Sequence, residues 1–336
     1  MKSILVAVAF TLLPLSSVAQ SKSEVTHDVV TIHILPRYEN LARASLALAD
    51  ASAKDCAIDT LRTHYADAFD AWISVSHMRF GPTEVKNRAF ALAFWPDSRG
   101  ATPKALAKLL LDEDVISQSA VTYADMSIAA RGLYALEFLM YDNKISTLGS
   151  PAYRCQLIQT VTADIARLTA VINDEWQLTF ASQLLKPSIS GDYRSDSEAV
   201  QELFKALLTG LQFTSETRLG RPIGSFDRPR PTRAEAWRSA RSSWHVALSI
   251  KTLKDLAFHL SKGNAPLQAK LLNSFNLAYD QVIALEDPTF SGVISPQSRL
   301  KIEIVQNSIE AIRAITRNEL GPHLGVAAGF NALDGD

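Results

Sequence analysis

The chain has 336 residues, enough for two ordinary domains, and 47% of them are hydrophobic, which marks a packed globular protein rather than a disordered one. A formal charge of −1 argues against nucleic acid as a partner, because nothing here would neutralise a run of phosphates. Beyond the N-terminus no apolar run is long enough for a bilayer, so no transmembrane span is expected in the mature chain.

Residues 1–19 read as a signal peptide. Lys2 supplies the basic start, Ile4 to Leu15 the apolar segment, and Ser17-Val18-Ala19 the small-x-small site before Gln20. No cysteine sits at that junction to take a lipid, so the expected product is a periplasmic protein cleaved after Ala19. Two cysteines, Cys56 and Cys155, lie in the exported part. An oxidising compartment lets them pair, and separate core thiols are equally compatible with the sequence.

Helical periodicity then runs along the chain. A first helix is expected from Glu24 to Ala51, kinked at Pro36. A second starts near Asp55, with Leu61, Tyr65, Ala68, Phe69, Trp72, Ser76 and Arg79 on one face, and stops at Gly81-Pro82. Residues 82–124 form a long insertion that holds Trp95-Pro96-Asp97 and a short helix opened by Thr102-Pro103. A third helix covers Ser127 to Asp142, and a fourth covers Ala152 to Leu185. The Pro-, Ser- and Gly-bearing stretch around 186–193 reads as a linker. Four more helices follow; Ser195-x-x-Glu198 and Thr232-x-x-Glu235 read as capping boxes for two of them. No strand pattern appears. The expected fold is all-α, two antiparallel four-helix bundle domains covering residues 20–190 and 191–336.

The third helix carries the chemistry. It is almost wholly apolar, yet Ser127, Arg131, Tyr134, Glu137 and Tyr141 recur at steps of four, three, three and four, which stacks them on one face. Charged and phenolic groups on a buried helix must be paired or must bind something, because dry unpaired charge costs several kcal/mol. A purely structural network satisfies that demand as well as a ligand site does. The spacing with Arg79 and the Trp95–Asp97 loop suggests one polar pocket near the junction of the domains, built from Arg79, Trp95, Asp97, Arg131, Tyr134 and Glu137.

Gly132-x-Tyr134-x-x-Glu137 followed by Phe138-Leu139 resembles the Gly-x-His-x-x-Glu helix of the imelysin family, also called the insulin-cleaving membrane protease family. Arg79-Phe80-Gly81-Pro82, Phe94-Trp95-Pro96-Asp97, Leu35-Pro36-Arg37-Tyr38, Trp237-Arg238-Ser239 and the ending Gly325 to Asp336 are similar to other segments of that family. The resemblance implies the same two-bundle layout, and, through relatives in periplasmic iron uptake, a binding protein linked to iron acquisition with envelope iron-uptake proteins as partners. The sequence departs at Tyr134, where the family has its histidine. There is also no His-Glu-x-x-His string and no Gly-x-Ser-x-Gly elbow, so hydrolysis is not expected.

A phenolate at Tyr134 and a carboxylate at Glu137 suit iron or another divalent or trivalent cation better than Zn²⁺, although two oxygens need further donors or a siderophore-like ligand to complete the sphere. A second possibility is a small anionic ligand held by Arg79 and Arg131 without metal. An envelope metallopeptidase using another histidine and a partner-binding module with an inert polar core are the remaining alternatives. His64-x-x-Asp67 reads as a solvated pair.

Overall fold

The structure, a computed structural model, describes residues 21–326. Residues 1–20, which hold the stretch expected to be a signal peptide, and the closing segment from residue 327 onward lie outside the described residues. Among the described residues no strand forms, and the lone bridge, Ser225 to Arg228, belongs to a tight turn. No helix among them is long and apolar enough to cross a membrane.

Helices α1 (Lys22–Asp28) and α2 (Leu35–Lys54) are joined through a π-helical stretch, Val29–Ile34. Next come α3 (Ile58–Ile73), the short α4 (Arg88–Leu92), α5 (Ala101–Asp112), α6 (Ala120–Tyr123), α7 (Gly132–Tyr141), α8 (Pro151–Glu175) and α9 (Ala181–Leu185). Beyond residues 186–195 lie α10 (Asp196–Gln212), α11 (Gly220–Ile223), α12 (Ser242–Leu260), α13 (Ala265–Ile283), α14 (Pro296–Ile315) and α15 (Gly321–Leu324). In one set α2 packs on α3 and α8, and α7 packs on α8. In the other α12 packs on α13, α13 on α14, and α10 on α12 and α14. Helix α1 packs on α10 and α12, so the helical run from Lys22 to Lys54 begins among the second set and ends in the first. A single hydrophobic cluster runs through both sets.

Three of the four π-helical stretches among the described residues have a local cause. A proline ring clashes with the carbonyl four residues earlier and leaves it without a donor, which a widened turn can absorb. The carbonyls that Pro36, Pro222 and Pro322 would meet belong to Ile32, Arg218 and Asn318. All three lie within π-helical stretches, Val29–Ile34, Phe213–Leu219 and Thr316–Leu320. Pro36 is therefore accommodated by a wider turn upstream of it.

Two helices are shorter than expected, and both differences matter for the site. Helix α3 ends at Ile73, so Ser76 and Arg79 leave its stripe. The hydroxyls of Ser74 and Ser76 donate to the carbonyls of Ala71 and Ile73 at 2.6 and 3.0 Å, local bonds that compete with continued helix. Helix α7 begins at Gly132, not Ser127, because Arg131 is extended (φ −112°, ψ 162°). Gly132 itself has φ +76°, and a Cβ there would stand 2.2 Å from the Leu92 carbonyl oxygen and 2.4 Å from that of Ala91. Only glycine lets α7 start so close to the backbone of α4.

Cys56 and Cys155 form a disulfide with Cα atoms 5.4 Å apart, closing a sequence separation of 99 residues between the α2–α3 turn and the first turns of α8. Constraining so long a loop in the unfolded chain stabilises the native state by about 2–4 kcal/mol. Replacing both cysteines by serine should lower the unfolding free energy in a urea titration by that amount. An unchanged midpoint would mean that the bond adds nothing to stability.

Candidate functional site

The polar face of α7 is covered by the irregular segment 234–241, which crosses from α11 towards α12. Each turn of the helix meets one residue of that segment. The Tyr134 hydroxyl donates to Glu235 Oε1 at 2.5 Å. Glu137 Oε1 accepts from both the backbone N–H and the hydroxyl of Ser239, each at 2.9 Å. Arg238 donates to Asp142 at 2.8 Å and lays its guanidinium 3.7 Å from the centre of the Phe138 ring. Arg241 pairs with Asp70 of α3, and Trp244 Nε1 donates to the same carboxylate at 2.8 Å. Ala236 and Ala240 both take positive φ, 50° and 55°, as the segment doubles back. The expected capping box at Thr232-x-x-Glu235 is not formed; α12 starts at Ser242, and Glu235 turns inward instead.

Glu235 is the centre of the site. It is 2% exposed, and its Oε2 accepts from Arg218 Nε at 2.7 Å. Arg218, itself 4% exposed, also donates to the hydroxyls of Ser76 at 3.1 Å and Thr214 at 3.4 Å. His245 Nδ1 stands 3.4 Å from the same carboxylate oxygen as Arg218. Burial works to raise the Glu235 carboxyl, but Arg218, His245 and the Tyr134 hydroxyl outweigh it and hold it at about 2. Burial and the neighbouring Glu235 charge push the Tyr134 phenol well above its ordinary value, so it is a neutral donor. Burial also raises the Glu137 carboxyl, against the two bonds from Ser239.

Tyr134, Arg218 and Glu235 form one wall of a cleft of about 790 Å³ between the two sets of helices. Trp72, Ser76, His77, Phe80 and Phe90 line it on one side; α10 with its π-helical continuation supplies Lys205, Gly210 and Phe213 on the other, and α11 adds Arg221. Trp95 stacks on Tyr134 with ring centres 6.2 Å apart and meets the edge of Phe213 at 5.9 Å. At Gly210 the approach is close: a Cβ would sit 2.8 Å from His77 Cβ and 2.6 Å from a Leu253 methyl.

Behind this wall runs a chain of polar groups, buried at His77 and His33 and reaching the surface at Asp255. His77 Nε2 lies 3.1 Å from His33 Nε2, and His33 Nδ1 lies 2.7 Å from Asp255 Oδ2. With Asp255 ionised, the assigned tautomers are a His33 that donates from Nδ1 and a His77 that donates from Nε2. Burial holds the His33 imidazole down at about 4 and His77 well below its usual range. Burial opposes ionisation of Asp255, yet His33 and Arg37 keep it at about 2.

Of the six residues expected to converge, the cleft takes in three: Arg79, Trp95 and Tyr134. Arg79 is already bound, donating from Nε to Glu84 at 2.7 Å. Glu137 points to Ser239 and does not line the cleft. Asp97 caps α5, accepting from the backbone N–H groups of Ala101 and Thr102 at 2.9 and 2.8 Å, because an exposed helix start is the nearest unsatisfied donor. Arg131, turned aside by its extended backbone, makes a two-pronged pair with buried Asp164 of α8 at 2.8 and 3.0 Å. Tyr134 and Glu137 share no common neighbour among these bonds. Among the described residues no group of three or more His, Cys, Asp and Glu side chains is placed to hold a metal ion. The donor set here does not fit a resident cation: Tyr134 is a protonated phenol committed to Glu235, and Glu137 is committed to Ser239.

The sequence matches the Imelysin family over residues 34–316, and the chain belongs to that family. No curated protein matches the sequence. Its fold is similar to that of an imelysin-like protein from Psychrobacter arcticum 273-4, with a TM-score of 0.77 at 19% identity over 97% of this chain and 100% of that one. It is also similar to a protein from Parabacteroides distasonis ATCC 8503 described as an iron-regulated protein A precursor. There the TM-score is 0.74 at 12% identity, over 90% of this chain and 96% of the other.

Two sets of measurements test this network. Removing one partner of a buried ion pair strands the other charge, so Glu235→Ala should destabilise the protein by about 3–5 kcal/mol, and Tyr134→Phe by about 1.5–3 kcal/mol, in denaturant titrations. A Glu235→Ala variant as stable as the parent would show that Arg218 is not held by this carboxylate. The histidines give a pH dependence. The unfolded chain binds a proton at His33 below about pH 6.5, whereas the folded chain resists until about 4. Stability is therefore full above 6.5 and declines as the pH falls from 6.5 towards 4. Melting temperatures across that window should fall, and His33→Asn should flatten the slope; an equal slope in the variant would assign the acid sensitivity elsewhere.

Proposed function

We propose that this chain is an exported, non-hydrolytic binding member of the imelysin family that serves iron acquisition in the periplasm, with its ligand held in the cleft between the two sets of helices. The observation that carries this reading is the state of the Tyr134–Glu235–Arg218 wall. Its acid is ionised and fully bonded, its phenol is neutral and its cation is paired. Such a wall offers fixed hydrogen-bond geometry to a ligand but no free base, nucleophile or open metal position for bond cleavage. The start of the sequence reads as an export signal, and the disulfide suits an oxidising compartment. A structural relative described as iron-regulated supports the link to iron.

Because the donor set does not fit a resident ion, iron enters this scheme as cargo, already wrapped in an anionic chelator. The test is a fluorescence titration of the mature protein with ferric citrate, with Fe²⁺, Zn²⁺ and Ca²⁺ as comparison ions. Saturable tryptophan quenching by the chelate, lost in Trp95→Ala, is expected. No response to the chelate would remove the iron reading, and chelator-sensitive proteolysis of a peptide substrate would make the protein a metallopeptidase instead.

A further inference from the structure

The charges around the cleft are nearly all accounted for. Arg79 is paired with Glu84, Arg218 with Glu235, and Glu216 with Arg313. Lys205 and Glu202 face each other along α10. Arg221 is the exception. It lines the cleft, its Nε is buried without a hydrogen-bond partner, and its guanidinium stands 5.9 Å from the centre of the Trp95 ring. No carboxylate forms an ion pair with it among the described residues. Its charged neighbour is another cation, Arg233, an exposed side chain in the turn Pro231–Arg233 that likewise has no ion pair among the described residues.

The turn between these arginines is tied down by hydrogen bonds. Buried Arg299 donates to the carbonyls of Ile223 and Ser225 at 2.7 and 3.1 Å, and the Arg230 N–H returns to the Pro222 carbonyl at 2.8 Å. Arg221 and Arg233 are thus held near each other by the fold despite their like charge. Two adjacent cations without a counter-ion are unfavourable, and a single oxyanion placed between their terminal nitrogens relieves the repulsion. The wall next to Arg221 is apolar, made by Trp95 with Phe213 packed on its ring.

We propose that Arg221 and Arg233 form an oxyanion clamp at the mouth of the cleft, and that the ligand is an amphipathic organic anion. Its carboxylate or phosphate sits between the two guanidinium groups, and its apolar body lies against Trp95 and Phe213. The proposal rests on the cleft being the binding site but does not require that the ligand carry iron.

The experiment uses iron-free probes on the mature protein: benzoate, hexanoate, acetate and inorganic phosphate, titrated calorimetrically and by tryptophan fluorescence. Benzoate and hexanoate should bind more tightly than acetate or phosphate, because they alone bury an apolar body. Arg221→Gln and Arg233→Gln should each weaken benzoate binding about tenfold, the scale of one charge-assisted contact. Arg233 is exposed, so its variant keeps the fold, and matched melting temperatures check this for both. Equal benzoate affinity in the parent and both glutamine variants overturns the clamp, as does the failure of all four probes to bind. Ferric citrate that binds the parent, while benzoate affinity is equal in the parent and both variants, removes the clamp and leaves the iron reading intact. Benzoate that behaves as expected while ferric citrate does not bind removes the iron reading and leaves the clamp.

Discussion

One buried carboxylate holds the two halves of this molecule in register. Glu235 has almost no access to water, so its charge can persist only if donors surround it. Those donors come from both sets of helices: Tyr134 on α7 and Arg218 on the continuation of α10, with His245 of α12 beside them. A rotation or slide of one set against the other would break at least one of these bonds and leave a charge dry. The network therefore selects one relative placement of the helices much more sharply than the apolar core alone, which tolerates small slips.

The same reasoning explains how a polar stripe can lie inside a helical protein with its groups paired. Segment 234–241 meets Tyr134, Glu137, Phe138 and Asp142 in turn, so that most of the stripe is spent on attaching a stretch of chain with no regular structure of its own. Only the Tyr134 end opens onto the cleft. One helix face thus lines the cleft at Tyr134 and anchors the covering segment from Glu137 onward.

How much of this was legible beforehand depended on whether a residue's partner was local. The helices follow from periodicity, and the polar groups of Tyr134 and Glu137 stand out because a charged stripe on an apolar helix is a local anomaly. Glu235 and Arg218 were hidden for the opposite reason. Thr232-x-x-Glu235 has the spacing of a capping box, and Arg218 sits just before Gly220 and Pro222, where a helix end is the natural reading. Arg131 groups with the site by its place on the stripe and Asp97 by its place in the long loop, yet each has a nearer demand, the buried Asp164 and an uncapped helix start. A usable signal existed for the segment as a whole: the run from Arg218 to Arg241 holds many arginines and few acids, so any single buried acid within it would be sought after.

The π-helical stretch Phe213–Leu219 has one more implication. A widened turn holds one residue more than the α-helix it interrupts, and each residue of an α-helix advances the chain by about 100°. The stretch upstream of Pro222 therefore acts as a slack loop in an otherwise rigid rod. A relative lacking one residue there could keep α10 and α11 in place by reverting to plain α-helix, yet it would present a different side chain where Arg218 now meets Glu235. Length variation at this point offers lineages of the fold a way to exchange the cation at the cleft wall without disturbing the helices that build it.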